Sequence, residues 1–325
     1  MDSVEETRGA GRVVGTCANV AAGEAVLVVS DWRTATVGER LAAAARERTD
    51  HVSMTLMDPR EYDGNEPPDT VAAAMIEADV VLTPVWRSIT HSAATRAALE
   101  AGARVVSLVK FTPDQLVEGG LYADYEGMAP HCEAMAGKFG DAEEARVTSP
   151  QGTDATFDLS GRGGNAHTGI VEDDGEFTAL VHIEANVSPV EGTAEGRLVF
   201  DGAVPNLDVG VLEEDLVMEV ADGAVTSVEG GSAADRIRRA WAEHDDPAVY
   251  TIAQLAVGMN PECREFTGQF SNDHGRYGNV HVGIGTSSNL GGETTAPVHF
   301  DAMMAEPTLE LDGETVLEGG EFAFF

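Results

Sequence analysis

Two short apolar runs near the C-terminus carry metal-binding residue types: Val280-His281-Val282-Gly283-Ile284-Gly285 and Val298-His299-Phe300-Asp301. On an extended strand, residues two apart share a face, so His299 and Asp301 project together while Phe300 turns to the opposite side. Two imidazoles and a carboxylate make a three-ligand set for a divalent cation and leave positions open for water or substrate. The glycines after His281 let backbone come close to whatever is bound. Glu184, in the apolar run Val181-His182-Ile183-Glu184, is the best additional carboxylate. The competing readings are a structural hydrogen bond between His299 and Asp301 and a solvent-facing strand position for Glu184.

The elements that must position these residues follow from periodicity. Short apolar runs alternate with helical stretches: strands at Val26–Val29, Val52–Met57, Val80–Pro84 and Arg104–Val109, and helices at Thr36–Arg48, Thr70–Glu77 and Ser92–Ala101. Strands separated by helices of about ten residues imply βαβ crossovers and a mainly parallel sheet. Thr112–Glu118 and Asp124–Phe139 read as further helices covering it. After about Ala145 the texture changes to short strands and tight turns, with Asp222-Gly223 and Asp312-Gly313 as hairpin signals. Ser232, with Asp235 three residues on, reads as an approximate capping box opening a helix through Glu243. The fold class is therefore α/β: a mainly parallel, three-layer N-terminal domain over residues 1–145, then an α+β metal-bearing domain over 146–325.

Composition bounds the partners. Fifty-six acidic and twenty basic residues among 325 give a formal charge of -36, which excludes nucleic acid and anionic lipid as partners. Lys110 and Lys138 are the only lysines, and an acid-coated exterior of this kind is that expected of a salt-accumulating halophile. Cys17, Cys132 and Cys263 lack metal spacing and suit a reducing cytoplasm. No apolar run reaches the roughly 18 residues of a membrane span, and the first thirty residues lack a basic leader. Gly9, Gly11 and Gly15 follow no strand, so a dinucleotide-binding reading is unsupported.

From about Val80 onward the chain resembles the metal-dependent aminopeptidases T and S, the leucyl aminopeptidase type. The matching stretches are Thr148-Ser149-Pro150-Gln151-Gly152-Thr153-Asp154, Pro189-Val190-Glu191-Gly192, Gly196-Arg197-Leu198-Val199-Phe200-Asp201-Gly202, Gly258-Met259-Asn260-Pro261 and the two histidine segments. The resemblance implies a metal cluster with Glu184, His281, His299 and Asp301 as ligands, and a dimer. It departs at Gln254, where the peptidases carry a second glutamate, and at Ser288, where they carry a tyrosine. An amide is a weaker ligand for a dication and brings no charge. The scaffold is similar, too, to that of ring-opening dioxygenases acting on dihydroxypyridines, which hold one ferrous ion with two histidines and an aspartate.

The expectation is a cytoplasmic metal-dependent aminopeptidase-like hydrolase acting on a small peptide, with zinc, cobalt or manganese. The alternative is a mononuclear iron dioxygenase acting on a small molecule, and the third a metal-stabilised protein without turnover. Glu184 or Glu191 would move protons. His91, in Ser88-Ile89-Thr90-His91-Ser92 at a strand-to-helix junction, Arg162 in Gly161-Arg162-Gly163-Gly164, and Ser288 are the substrate-contacting candidates. Solvated His91 and Arg162 are the plainer alternatives. The substrate is expected between the two domains.

Overall fold

A computed structural model describes residues 3–61, 63–90, 92–288 and 290–324. The chain divides into two compact units, residues 1–126 with 167–182, and residues 127–166 with 183–325. This differs from a single boundary at 145/146. The helix Tyr125–Asp141 falls mostly in the second unit, and residues 167–182 return to the first, where Phe177–Ala179 adds a strand to its sheet.

In the first unit five parallel strands lie in the order Val52–Met57, Val26–Asp31, Val80–Thr83, Arg104–Ser107, Phe177–Ala179. All residues of Val26–Asp31 and Val80–Thr83 are buried, as expected where both faces of a parallel sheet are covered. On one face Leu27, Val29, Val81 and Val105 pack with Val71, Met75, Ala94 and Ala98 from the helices Asp69–Ile76 and Ala93–Glu100. On the other, Gly38 of the helix Ala35–Ala45 lies so near the sheet that a Cβ there would sit 2.8 Å from Ser30 Oγ. The glycines at positions 9 and 11 lie inside a helix, Ser3–Arg12. Gly9 is required there, because a Cβ would fall 1.8 Å from the carbonyl oxygen of Leu116.

The second unit contains two large sheets and a two-stranded antiparallel one, Ala203–Val204 with Gly210–Val211. The larger has eight strands in the order Ala224–Glu229, Leu216–Ala221, Glu195–Phe200, Asp154–Asp158, Glu144–Thr148, Thr308–Leu311, Glu314–Glu318, Glu321–Phe322. Its two Asp-Gly hairpins turn as expected: Asp222 and Gly223 have φ of 50° and 72°, Asp312 and Gly313 of 49° and 80°, the left-handed pair of a type I′ turn. The helix Gly231–Ala242 starts from Gly230 with no side-chain cap, so the expected Ser232 capping box is not formed. The smaller sheet has five strands in the order His299–Met304, Val280–Gly285, Ile252–Gly258, Glu184–Val187, Asn165–His167. No helix among the described residues is long and apolar enough to cross a membrane.

Candidate metal centre

The five-stranded sheet has one apolar and one polar face, and its register decides which residues share the latter. Gly258 and Ala256 pair with Glu184 and Asn186, Ala256 and Gln254 with His281 and Gly283, and Gly283 and Gly285 with Asp301 and His299. Directly paired residues lie on one face of a sheet. Glu184, Asn186, Gln254, His281, His299 and Asp301 therefore converge, with Ala256, Gly258, Gly283 and Gly285 as small residues between them. The opposite face carries Val187, Leu255, Val257, Val282, Ile284, Phe300 and Ala302, all buried. That apolar face anchors the sheet; each such side chain contributes roughly 1.5–3 kcal/mol by burial.

The small residues are spatial requirements. A Cβ on Gly283 would sit 2.9 Å from His299 Cε1 and 3.0 Å from Asp301 Oδ1. One on Gly258 would lie 2.6 Å from the carbonyl oxygen of His274. His274 enters the site from above, on the six-residue helix Phe270–Gly275. Asp273 fixes the start of that helix: its Oδ1 accepts from Thr267 N–H at 2.8 Å and its Oδ2 from Gly268 N–H at 2.8 Å. Burial of Asp273 raises its pKa, and these donors oppose the shift.

Four predicted residues come together. Glu184 Oε2 is 3.3 Å from His281 Nε2, and His299 Nε2 is 3.3 Å from Asp301 Oδ1. His274, which the sequence reading did not select, completes the group with Nε2 3.1 Å from Asp301 Oδ2. The ligand atoms of His274, His281 and Asp301 all lie within 4.8 Å of one another, close to the roughly 4 Å that separates opposed ligands on one ion bonded at about 2.1 Å.

All three imidazoles are held by their other nitrogen. Nδ1 of His274 faces the Phe270 carbonyl oxygen at 2.7 Å, Nδ1 of His281 faces Asn279 Oδ1 at 2.9 Å, and Nδ1 of His299 faces the Thr286 carbonyl oxygen at 2.8 Å. An acceptor at Nδ1 puts the proton there and the lone pair on Nε2, the arrangement of a metal-ligating histidine. His281 Nε2 and Asp301 Oδ1 are buried with no hydrogen-bond partner. Such orphaned atoms are costly unless something else binds them, and a cation at the centre would satisfy both.

Without an ion the group is electrostatically coupled. Burial lowers the pKa of His274, but the hydrogen bond and charge of Asp301 outweigh it and raise it to about 9. His299 is raised for the same reasons. For Asp301 burial opposes ionisation, yet His299 and His274 hold its carboxyl well below the usual carboxylate range.

Glu184 has a different setting. Its Oε1 accepts from Asn186 Nδ2 at 2.9 Å and from Gln254 Nε2 at 3.0 Å. Gln254, noted in the sequence as an amide in place of a carboxylate, is thus a hydrogen-bond donor to Glu184. Asn186 Oδ1 accepts from Asn165 Nδ2 at 2.9 Å, which donates also to the Leu290 carbonyl oxygen at 3.0 Å. The loop between strands Val280–Gly285 and His299–Met304 is tied to Glu184 by this chain of amides.

The remaining sequence candidates lie in that loop or its anchors. Arg162 is ion-paired with Glu191 and donates to the Gly291 carbonyl oxygen at 2.8 Å. Glu191 Oε1 accepts from Glu293 N–H at 2.6 Å. Burial raises the Glu191 pKa, but the Glu293 amide and Arg162 outweigh it and lower it. These two side chains hold the loop and each other. Ser288 is exposed, and its N–H donates to the Thr294 carbonyl oxygen at 3.1 Å. His91 lies outside the described residues.

The family model for NicX, 2,5-dihydroxypyridine 5,6-dioxygenase, matches residues 11–324. The chain belongs to the 2,5-dihydroxypyridine 5,6-dioxygenase family. A 142-residue segment is 27% identical to the 2,5-dihydroxypyridine 5,6-dioxygenase of Pseudomonas putida and covers 41% of this chain and 41% of that protein. The alignment with this curated relative thus spans about two fifths of its length. Two solved structures share the fold: the 2,5-dihydroxypyridine dioxygenase of Pseudomonas putida KT2440, with TM-score 0.85 and 19% identity over 100% of this chain and 99% of that one, and wild-type AmpT of Thermus thermophilus, with TM-score 0.72 and 14% identity over 99% of each.

Family membership corrects the expectation of an aminopeptidase T or S, and with it the peptidase and hydrolase assignment and the peptide substrate. The motifs quoted for that resemblance lie on a fold that this chain shares with both solved structures. The salt-accumulating habitat and the dimer find no support in these comparisons and are dropped.

Proposed function

We propose that the protein is a mononuclear non-haem iron dioxygenase that opens a dihydroxypyridine ring. The observation that carries this reading is the set of three imidazoles, each fixed through Nδ1, with Nε2 of His274 and His299 turned to the Asp301 carboxylate and Nε2 of His281 to Glu184. Family membership supplies the reaction class.

In this reading His274, His281 and Asp301 hold the ion, and His299 stands beside Asp301 as a fourth donor. A ferrous ion held there would supply the redox chemistry that ring opening by dioxygen needs. The protein does the rest. Gly283 lets the side chains of Gln254, His299 and Asp301 close up on one another over the sheet. Glu184 Oε2 takes the proton of a ring hydroxyl, while Asn186 and Gln254 hold Oε1 and so fix which oxygen is presented. Arg162 and Glu191 hold the loop above His299, which excludes bulk water. The N-terminal unit is read as a three-layer α/β domain, supported by helices against both faces of its sheet. Three buried free cysteines support work in a reducing cytoplasm on a small heteroaromatic.

The test is an oxygen electrode trace on protein loaded anaerobically with ferrous iron. Addition of 2,5-dihydroxypyridine should consume about one oxygen per ring lost, with about one iron per chain, the stoichiometry of a single triad. Iron-loaded protein that takes up no oxygen with any dihydroxypyridine would overturn the assignment.

A further inference from the structure

The carboxyl ends of the parallel strands in the first unit carry a cationic and aromatic group. The chain leaves Val26–Asp31 toward one edge of the sheet, to Val52–Met57, and leaves Val80–Thr83 toward the other, to Arg104–Ser107. Strands that diverge in this way mark the switch point of an open α/β sheet, and ligands bind outside its carboxyl ends. Asp31 bridges the two ends: its Oδ2 accepts from Trp86 N–H and its Oδ1 from Arg33 N–H at 2.8 Å. The Asp31 carboxylate is thereby taken up by backbone donors.

Above this bridge the Arg33 guanidinium lies over the Trp86 ring, 5.0 Å from its centroid. Arg33 is exposed, and no carboxylate among the described residues pairs with it, although the chain has 56 acidic side chains and a net charge of -36. Lys110, one of only two lysines, stands one strand over, where its N–H donates to the Val85 carbonyl oxygen at 2.9 Å. Arg87 follows Trp86 directly and is 3.5 Å from Asp63. Trp32, next to Arg33, is 62% exposed. An acid-coated protein thus gathers three cations and two indoles at one end of one sheet.

We propose that this end of the sheet is a binding site for a small aromatic carboxylate. A guanidinium held over an indole and exposed to solvent keeps N–H groups free to pair with a carboxylate through two parallel hydrogen bonds. The indole of Trp32 offers the plane on which the ligand's ring lies. Lys110 adds charge without adding a geometric demand. The surrounding negative field repels anions in general, so occupancy depends on this local group. The inference does not rest on the ring-opening activity.

The test is tryptophan fluorescence of the full-length protein titrated with benzoate at constant ionic strength, beside acetate and benzyl alcohol. Benzoate should saturate in about the millimolar range, with acetate and benzyl alcohol each at least about tenfold weaker, because each lacks one half of the recognition. Arg33→Gln, an exposed position whose far-UV dichroism should be unchanged, should weaken benzoate about tenfold. No saturable response to benzoate, equal binding of acetate or benzyl alcohol, or benzoate binding undiminished in Arg33→Gln would each overturn the proposal. The last result would place the benzoate elsewhere, for example at the metal centre.

Discussion

The side chain of Asn279 joins the imidazole of His281 to the backbone of His274. Its Oδ1 faces His281 Nδ1 at 2.9 Å, while its Nδ2 donates to the carbonyl oxygens of Arg276 at 2.6 Å and His274 at 3.1 Å. One amide thus sets the tautomer of His281 and closes the end of the helix that brings in His274. Loss of an outer partner of this kind costs about 10–100-fold in metal affinity. Asn279→Ala should show that loss in chelator competition. In a His281→Ala background the same substitution should have a much smaller effect, and equal effects in both backgrounds would refute the coupling.

His274 is predicted to be a ligand in its own right. His274→Ala should reduce metal affinity and change the visible spectrum of cobalt-substituted protein. An unaltered spectrum would limit the ligand set to the residues on the sheet.

Gln254→Glu would put a second carboxylate where Nε2 now donates to Glu184 Oε1 at 3.0 Å. Two buried carboxylates at that separation cannot both stay ionised without a cation. The metal-free variant should lose about 1–3 kcal/mol of stability, the cost of a broken buried hydrogen bond. Added divalent metal should recover most of it in thermal melts, and a melt insensitive to metal would count against the placement.

Arg162→Ala removes the Glu191 partner and the bond to Gly291 together. Amides near residues 290–294 should exchange about tenfold faster, while the strands Val280–Gly285 and His299–Met304 keep their protection. The KM for a ring substrate should rise more than kcat falls. Unchanged exchange would mean that the loop is held by other contacts.

Phe300 lies between the two centre residues His299 and Asp301 but packs on the opposite face, 5.9 Å from the Trp241 ring. Phe300→Ala should cost about 3–5 kcal/mol through the cavity it leaves, measured by denaturant unfolding. Phe300→Leu, which keeps most of the volume, should cost clearly less.

Much of the centre was legible because strands write their faces into alternate residues. His299 and Asp301 could be placed on one surface from spacing, with His281 as a candidate partner on a second strand, whereas Glu184 joined them only through the resemblance to a metalloenzyme scaffold. His274 could not: a six-residue helix in the stretch Gln269-Phe270-Ser271-Asn272-Asp273-His274-Gly275 shows neither helical nor strand periodicity. The available signal was Asn279 two residues before His281, a second polar residue on the same strand face.

Arg162 and Glu191 read as chemical residues because each sits beside glycines in a loop, and their mutual pairing is a long-range fact with no local trace. In the first unit the strands and crossovers were readable from apolar runs. The strand Phe177–Ala179 was not, because three residues after a long excursion carry no pattern of their own. The helix Ser3–Arg12 was hidden by Gly9 and Gly11, which are poor helix formers; Gly9 is kept for close packing against Leu116.

The register of the smaller sheet has a consequence for biogenesis. Glu184 belongs to its fourth strand and Asp301 to its edge strand, and His299 and Asp301 leave the ribosome last. A nascent chain that stops short of them offers Glu184, His274 and His281 without Asp301, the carboxylate that faces both His274 and His299. Metal capture therefore waits for the strand that carries His299 and Asp301, and a cell starved of the metal should accumulate a folded, empty protein that can still be charged.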